Sequence, residues 1–126
     1  MKTSELTGAA LDAAVAICEG HRLNGPYTAF DGAFCLQEAD GSDGDVCPAY
    51  STDRTQGGSI IDREEISTVL LYGAMWGATT YNVRDIVLDR NEAHYQGIGP
   101  TRLIAAMRCF VASKFGDEVE LPKELI

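Results

Sequence analysis

The sequence predicts an α+β fold, a small and mostly antiparallel sheet with helices from the N-terminal and C-terminal ends packed on it. Apolar residues recur at helical spacing near both ends of the chain. The middle holds short β-branched and aromatic runs separated by turn-forming residues. The 126 residues are enough for one domain, 1–126, with its own core and no staples. Neither GxGxxG nor GxxxxGK[ST] occurs, so the residues exclude Rossmann and P-loop phosphate sites.

The first helix is expected from about Thr7 to Glu19. Leu11, Ala14, Val15 and Cys18 form its buried stripe, Thr7 its N-cap, and Gly20 the residue that turns left-handed after it. Asp12 lies off the stripe, either solvated or reaching a neighbouring loop. Ala33 to Leu36 reads as a strand, and Glu38 to Asp45 as a solvated turn. The acids of that turn miss the EF-hand spacing. Ile66 to Tyr72 and Tyr81 to Leu88 are the next strands. The second helix spans about Thr101 to Phe115, entered through Gly99-Pro100 and closed by Gly116. Its core face is Leu103, Ile104, Met107, Phe110, Val111 and Phe115 or Lys114. Arg108, beside Met107, runs its stem along the edge of that face. Val119 to Pro122 forms a short extended tail.

Charge and cysteine usage narrow the function. With 10 Lys and Arg against 19 Asp and Glu, a net charge of −9, the chain lacks the cations a general DNA or RNA reader needs. The acids are scattered rather than set in paired rows, so the acidity serves solubility better than DNA mimicry. No apolar run approaches the roughly 20 residues of a membrane span, and Met1 to Glu5 lacks the apolar core of a secretory signal. The expected location is the cytoplasm. Cys18, Cys35, Cys47 and Cys109 show no zinc-like spacing, and His21 and His94 stand apart. They are expected to be buried thiols without metal.

Tyr50 to Ile61 is the candidate site, expected to be a loop that holds a polar partner. Hydrogen-bonding side chains run without a break to Gln56, the pair Gly57-Gly58 follows, and after Ser59 the apolar pair Ile60-Ile61 closes the string. Tyr50 offers an aromatic plate; Ser51, Thr52, Asp53 and Gln56 offer donors and acceptors; Gly57 and Gly58 permit close approach. Arg54, or Arg108 from the last helix, could clamp a phosphate. The competing reading is a hydrogen-bonded turn that joins two strands, and the residues alone leave both open. Catalysis finds less support. Ser51 with Asp53 lacks a G-x-S-x-G elbow, and Asp62 with Glu64 and Glu65 reads as a solvated strand exit. No catalytic residue and no cofactor is assigned.

Three strings in order resemble the NinX-like family of small phage proteins. They are Met1 to Asp12, Tyr50 to Asp53 with Gln56-Gly57-Gly58 and Ile60-Ile61, and Leu103 to Lys114 with Gly116 to Val119. That family places tryptophan where this chain has Ala13 and Arg54, and proline at Ser59, so ligand specificity does not carry over. The resemblance implies a phage accessory role in the host cytoplasm. With the Tyr50 to Gly58 string and Arg108, it leads us to expect a nucleotide-type ligand bound without turnover in a homo-oligomer, sequestering a bacterial antiviral defence signal. The alternatives are an acidic protein-interaction module that inhibits a host enzyme, and a hydrolase of the same signal.

Overall fold

A computed structural model describes residues 2–24, 35–80 and 95–121. Its helices are α1 (Gly8–Cys18), α2 (Arg54–Arg63) and α3 (Arg102–Phe115), preceded by a short 3-10 turn at Thr3–Glu5. Its strands are β1 (Leu23–Asn24), β2 (Cys35–Gln37), β3 (Asp43–Val46), β4 (Ser67–Tyr72), β5 (Met75–Thr79) and β6 (Gly97–Gly99). They form two antiparallel three-stranded sheets, β1-β2-β3 and β4-β5-β6. This is the expected α+β architecture, with a helix near each end of the chain.

α1 forms where its apolar spacing places it. Leu11, Ala14 and Val15 are fully buried and Cys18 is half-buried, while Ala13 and Ala16 widen the covered face. The helix ends as expected at Gly20, with φ +93°. The His21 amide donates to Ala16 O and the Gly20 amide to Ile17 O, both at 3.0 Å, the paired bonds of a Schellman ending. At the other end Thr7 is the N-cap by backbone conformation, without a capping side-chain bond.

α3 supplies the centre of the core. Met107, Phe110 and Val111 are buried with Ala105, Ala106 and Cys109, and Leu103 and Ile104 are partly covered. Each large apolar side chain covered this way contributes about 1.5–3 kcal/mol relative to exposure. The predicted face does not extend to its last turn. Phe115 is 41% exposed, because the helix passes the edge of the core after Val111. Beyond Gly116, Thr3 N donates to Asp117 O at 2.9 Å, which ties the two ends of the described chain together.

β6 lies against α3 at a distance that only glycine allows. A Cβ on Gly97 would stand 2.2 Å from Ala105 O and 2.4 Å from Cys109 N; one on Gly99 would stand 2.9 Å from Ala105 N. The same strand pairs with β5, where Trp76 faces Gly99 and Ala78 faces Gly97.

Several expectations on the middle of the chain are corrected. Tyr50 to Ile61 is not a loop, because its second part is α2. Asp53 Oδ1 accepts from Thr55 N at 2.9 Å and starts the helix, and Ile60 anchors it at 2% exposure. Packing overrides the poor helix propensity of Gly57. A Cβ there would meet Tyr50 O at 2.4 Å and Leu103 Cδ1 at 2.5 Å. The acidic turn is shorter than expected, since Asp43–Val46 pairs with β2 as β3. Asp40 Oδ1 accepts from Ser42 N at 3.0 Å and tightens the connection. β5 and β6 were not anticipated, and Gly-Ile-Gly carries almost no strand propensity. The Ile66 to Tyr72 strand is present as β4, and Cys35-Leu36 lies in β2. Ala33-Phe34, the expected strand at Tyr81 to Leu88 and Pro122 fall outside the described residues.

The atoms that block a Cβ at Gly97 are main chain and cannot turn aside. Gly97→Ala is therefore expected to lower stability by about 3 kcal/mol, the upper part of the overpacking range. Urea unfolding reads this as a lower midpoint with an unchanged slope.

Candidate functional site

A cleft of about 680 Å³ opens between the starts of α2 and α3. Ser51, Thr52, Arg54, Gly58 and Ile61 line one wall. Trp76 of β5 and the turn into α3, with Thr101, Arg102 and Leu103, line the other. The volume lies within the range of small-molecule sites.

Both helix starts are built alike. Asp53 caps α2 as described, and Thr101 Oγ1 accepts from Ile104 N at 3.1 Å to cap α3. Each cap satisfies one amide, and the rest of a first turn has no partner within its own helix. These ends carry the positive pole of the helix dipole, where acidic residues are favoured. Neither first turn holds an acid, and each begins with an arginine, Arg54 or Arg102. Arg102 thus reinforces a positive helix end capped only by a neutral threonine, while Arg54 stands beside the Asp53 carboxylate that caps α2, in a chain of net charge −9. An anion at the cleft is the partner that this arrangement stabilises.

The aromatic element is Trp76. The guanidinium carbon of Arg102 stands 4.6 Å from its ring centroid, in cation–π contact. Ser51, on the opposite wall, is only 2% exposed. Its amide donates to Asp12 Oδ1 at 2.8 Å, so Asp12 reaches the neighbouring segment rather than solvent. The Ser51 hydroxyl is buried near this carboxylate, outside good hydrogen-bond geometry. Burial pushes the Asp12 carboxyl above its usual range, and the nearby Ser51 groups draw it partly back.

The residues singled out from sequence divide. Ser51, Thr52, Arg54 and Gly58 meet at the cleft. Tyr50 is buried in the core, its phenol pushed to about 12 mainly by that burial. Asp53 is occupied as the cap, and Gly57 makes its close approach to the protein itself rather than to a ligand. Gln56 is exposed on α2 outside the cleft lining. Arg108 does not line the cleft. Its Nε donates to Leu6 O at 2.9 Å and its Nη1 to Ile98 O at 2.7 Å, which joins the N-terminal segment and β6 to α3. Trp76, Thr101 and Arg102 were missed. The available signal was an arginine directly after a capping threonine, against the helix dipole, together with the chain's one tryptophan.

The thiols of Cys18, Cys47 and Cys109 are free, and burial pushes each to about 12, far from a reactive thiolate. Among the described residues no group of three or more His, Cys, Asp and Glu could hold a metal ion. Among them, too, no helix is long and apolar enough to cross a membrane.

Fold and cleft together define a small α+β protein with a cationic, tryptophan-bearing cleft between two helix starts. The family model described as Bacteriophage P22, NinX matches residues 2–114, and the chain belongs to that phage family. No curated protein matches it.

Two expectations separate scaffold from site. Arg108→Ala leaves two part-buried carbonyls without their charged donor and is expected to cost about 2–3 kcal/mol in urea unfolding. For Asp12, the native pKa lies above the unfolded one. Its stabilising contribution is full below the ordinary carboxylate range, about pH 4, and is lost as pH rises through the raised native value. Asp12→Asn keeps an acceptor for the Ser51 amide and should remove that loss. Urea unfolding of both proteins across this pH range should show the variant gaining on the parent as pH rises.

Proposed function

We propose that this phage protein binds a small nucleotide-derived ligand in the cleft without turning it over, and thereby sequesters a bacterial antiviral defence signal in the host cytoplasm. The observation that carries the reading is the convergence of Arg54 and Arg102 on two helix starts beside a tryptophan. Phosphate is the common anion that uses both guanidinium forks and helix-end amides. A planar base is the common ligand part that uses an indole face. Membership in a phage family supplies the setting of infection.

Sequestration rather than turnover is favoured by what surrounds the cleft. The Ser51 hydroxyl has no base aligned to take its proton, since the nearby Asp12 Oδ1 accepts from the Ser51 amide instead. The three thiols described above are held as neutral groups. Thr52, Arg54, Thr101 and Arg102 are all exposed at the rim, so one chain leaves a ligand open to solvent on that side. In this proposal a second copy covers the rim in a homo-oligomer.

Equilibrium dialysis against a panel of cyclic and linear nucleotides tests the reading. At least one should bind at fixed stoichiometry and be recovered unchanged. Arg54→Ala and Arg102→Ala should each weaken it about tenfold or more, the scale of one charge-assisted bond. Binding that survives both changes would sink the site, and recovery of a cleaved nucleotide would make the protein a hydrolase. Failure of the whole panel, with host-protein association that weakens steeply with salt, would favour the acidic interaction module.

A further inference from the structure

The stacking of Arg102 on Trp76 goes one step further, and the step rests on the ligand reading above. Trp76 is the only tryptophan of the chain and lies in the cleft wall. Arg102 lies 4.6 Å over its ring and covers an indole face that a base would otherwise use. Among the described residues no carboxylate forms an ion pair with Arg102. Its hold on the indole is weak, since a cation–π contact at an exposed site is worth only about a two- to fivefold effect on an equilibrium. A bidentate bond to phosphate is stronger and directional. The opposite wall offers the exposed guanidinium of Arg54.

We infer that Arg102 is a placeholder on Trp76, displaced by a nucleotide whose base takes the indole face while its phosphate draws the guanidinium toward the start of α2. The ligand class is therefore a nucleotide with at least one unstacked base face. A sugar phosphate or an inorganic polyphosphate uses only half of this arrangement. Arg102 serves the ligand twice, by vacating the ring and by pairing with the phosphate. Its removal has opposite consequences for the two halves of the ligand.

The test uses the full chain and its Arg102→Gln variant. The probes are the 5′-diphosphates of the four common ribonucleosides, the parent nucleosides and pyrophosphate. Calorimetry gives affinity, and the emission of the single tryptophan reports stacking. At least one diphosphate should bind and quench Trp76 over the same concentration range. In Arg102→Gln that diphosphate should bind about tenfold or more weakly. Its nucleoside should bind about two- to fivefold more tightly, because the ring is uncovered. A variant damaged in folding cannot produce these opposite signs. Diphosphate binding with unchanged Trp76 emission, or no gain for the nucleoside in the variant, overturns the placeholder and leaves the ligand reading standing. Absence of binding by every probe overturns the placeholder as well, while the cyclic and linear panel judges the ligand reading separately.

Discussion

The rest of the structure depends on the approach of a three-residue strand to a helix. Gly97 and Gly99 bring β6 so near α3 that main chain rests on main chain, opposite Ala105. Arg108 then fastens the contact by donating to Ile98 O from the helix and to Leu6 O from the N-terminal segment. Any side chain at the two glycine positions would separate the elements. Once they are joined, two site residues are placed by the same event. β6 sets Trp76 opposite Gly99 through its pairing with β5, and the turn leaving β6 leads through Thr101 directly into Arg102. The cleft wall is a consequence of the core contact.

The other wall follows from a second close approach. Gly57 lets α2 lie against Tyr50 O and Leu103, so the start of α2 borders the cleft together with the start of α3. At its far end α2 is held by Arg63, whose Nη1 donates to Glu19 Oε2 at 2.9 Å at the end of α1. The Arg63 hydrogen bonds keep the Glu19 carboxyl below its usual range. Half of the Arg63 side chain is exposed, so this pair orients α2 more than it stabilises the fold. The two helix starts at the cleft, each led by an arginine, place two cations together in a molecule that carries an excess of acids overall. An overall charge of −9 leaves room for one local anion seat.

Both terminal helices could be read from the sequence because their burial repeats locally. Leu11, Ala14 and Val15 sit at helical spacing, as do Ile104, Met107 and Val111, and Gly20 and Gly116 mark the ends. β4 was legible for the same kind of reason, in its run of β-branched and apolar residues. β6 was not, since Gly-Ile-Gly is a strand only because α3 and β5 flank it. α2 was hidden by its Gly-Gly pair, which propensity reads as a loop and tertiary packing turns into a helix. For the site, the polar string around Ser51 and Arg54 was visible, but the roles within it were not. Tyr50 and Arg108 carry functional-looking groups that the core uses, and whether a side chain faces core or cleft depends on contacts far apart in sequence. Trp76 and Arg102 come together across such a separation.

Native mass spectrometry of the intact protein, before and after incubation with cyclic and linear nucleotides, tests the central claim most directly. A nucleotide retained at fixed stoichiometry with its mass unaltered, and lost together from Arg54→Ala and Arg102→Ala, is the predicted result. A bare protein with every nucleotide, or a bound species of altered mass, would contradict the account of a cleft that holds its ligand unchanged.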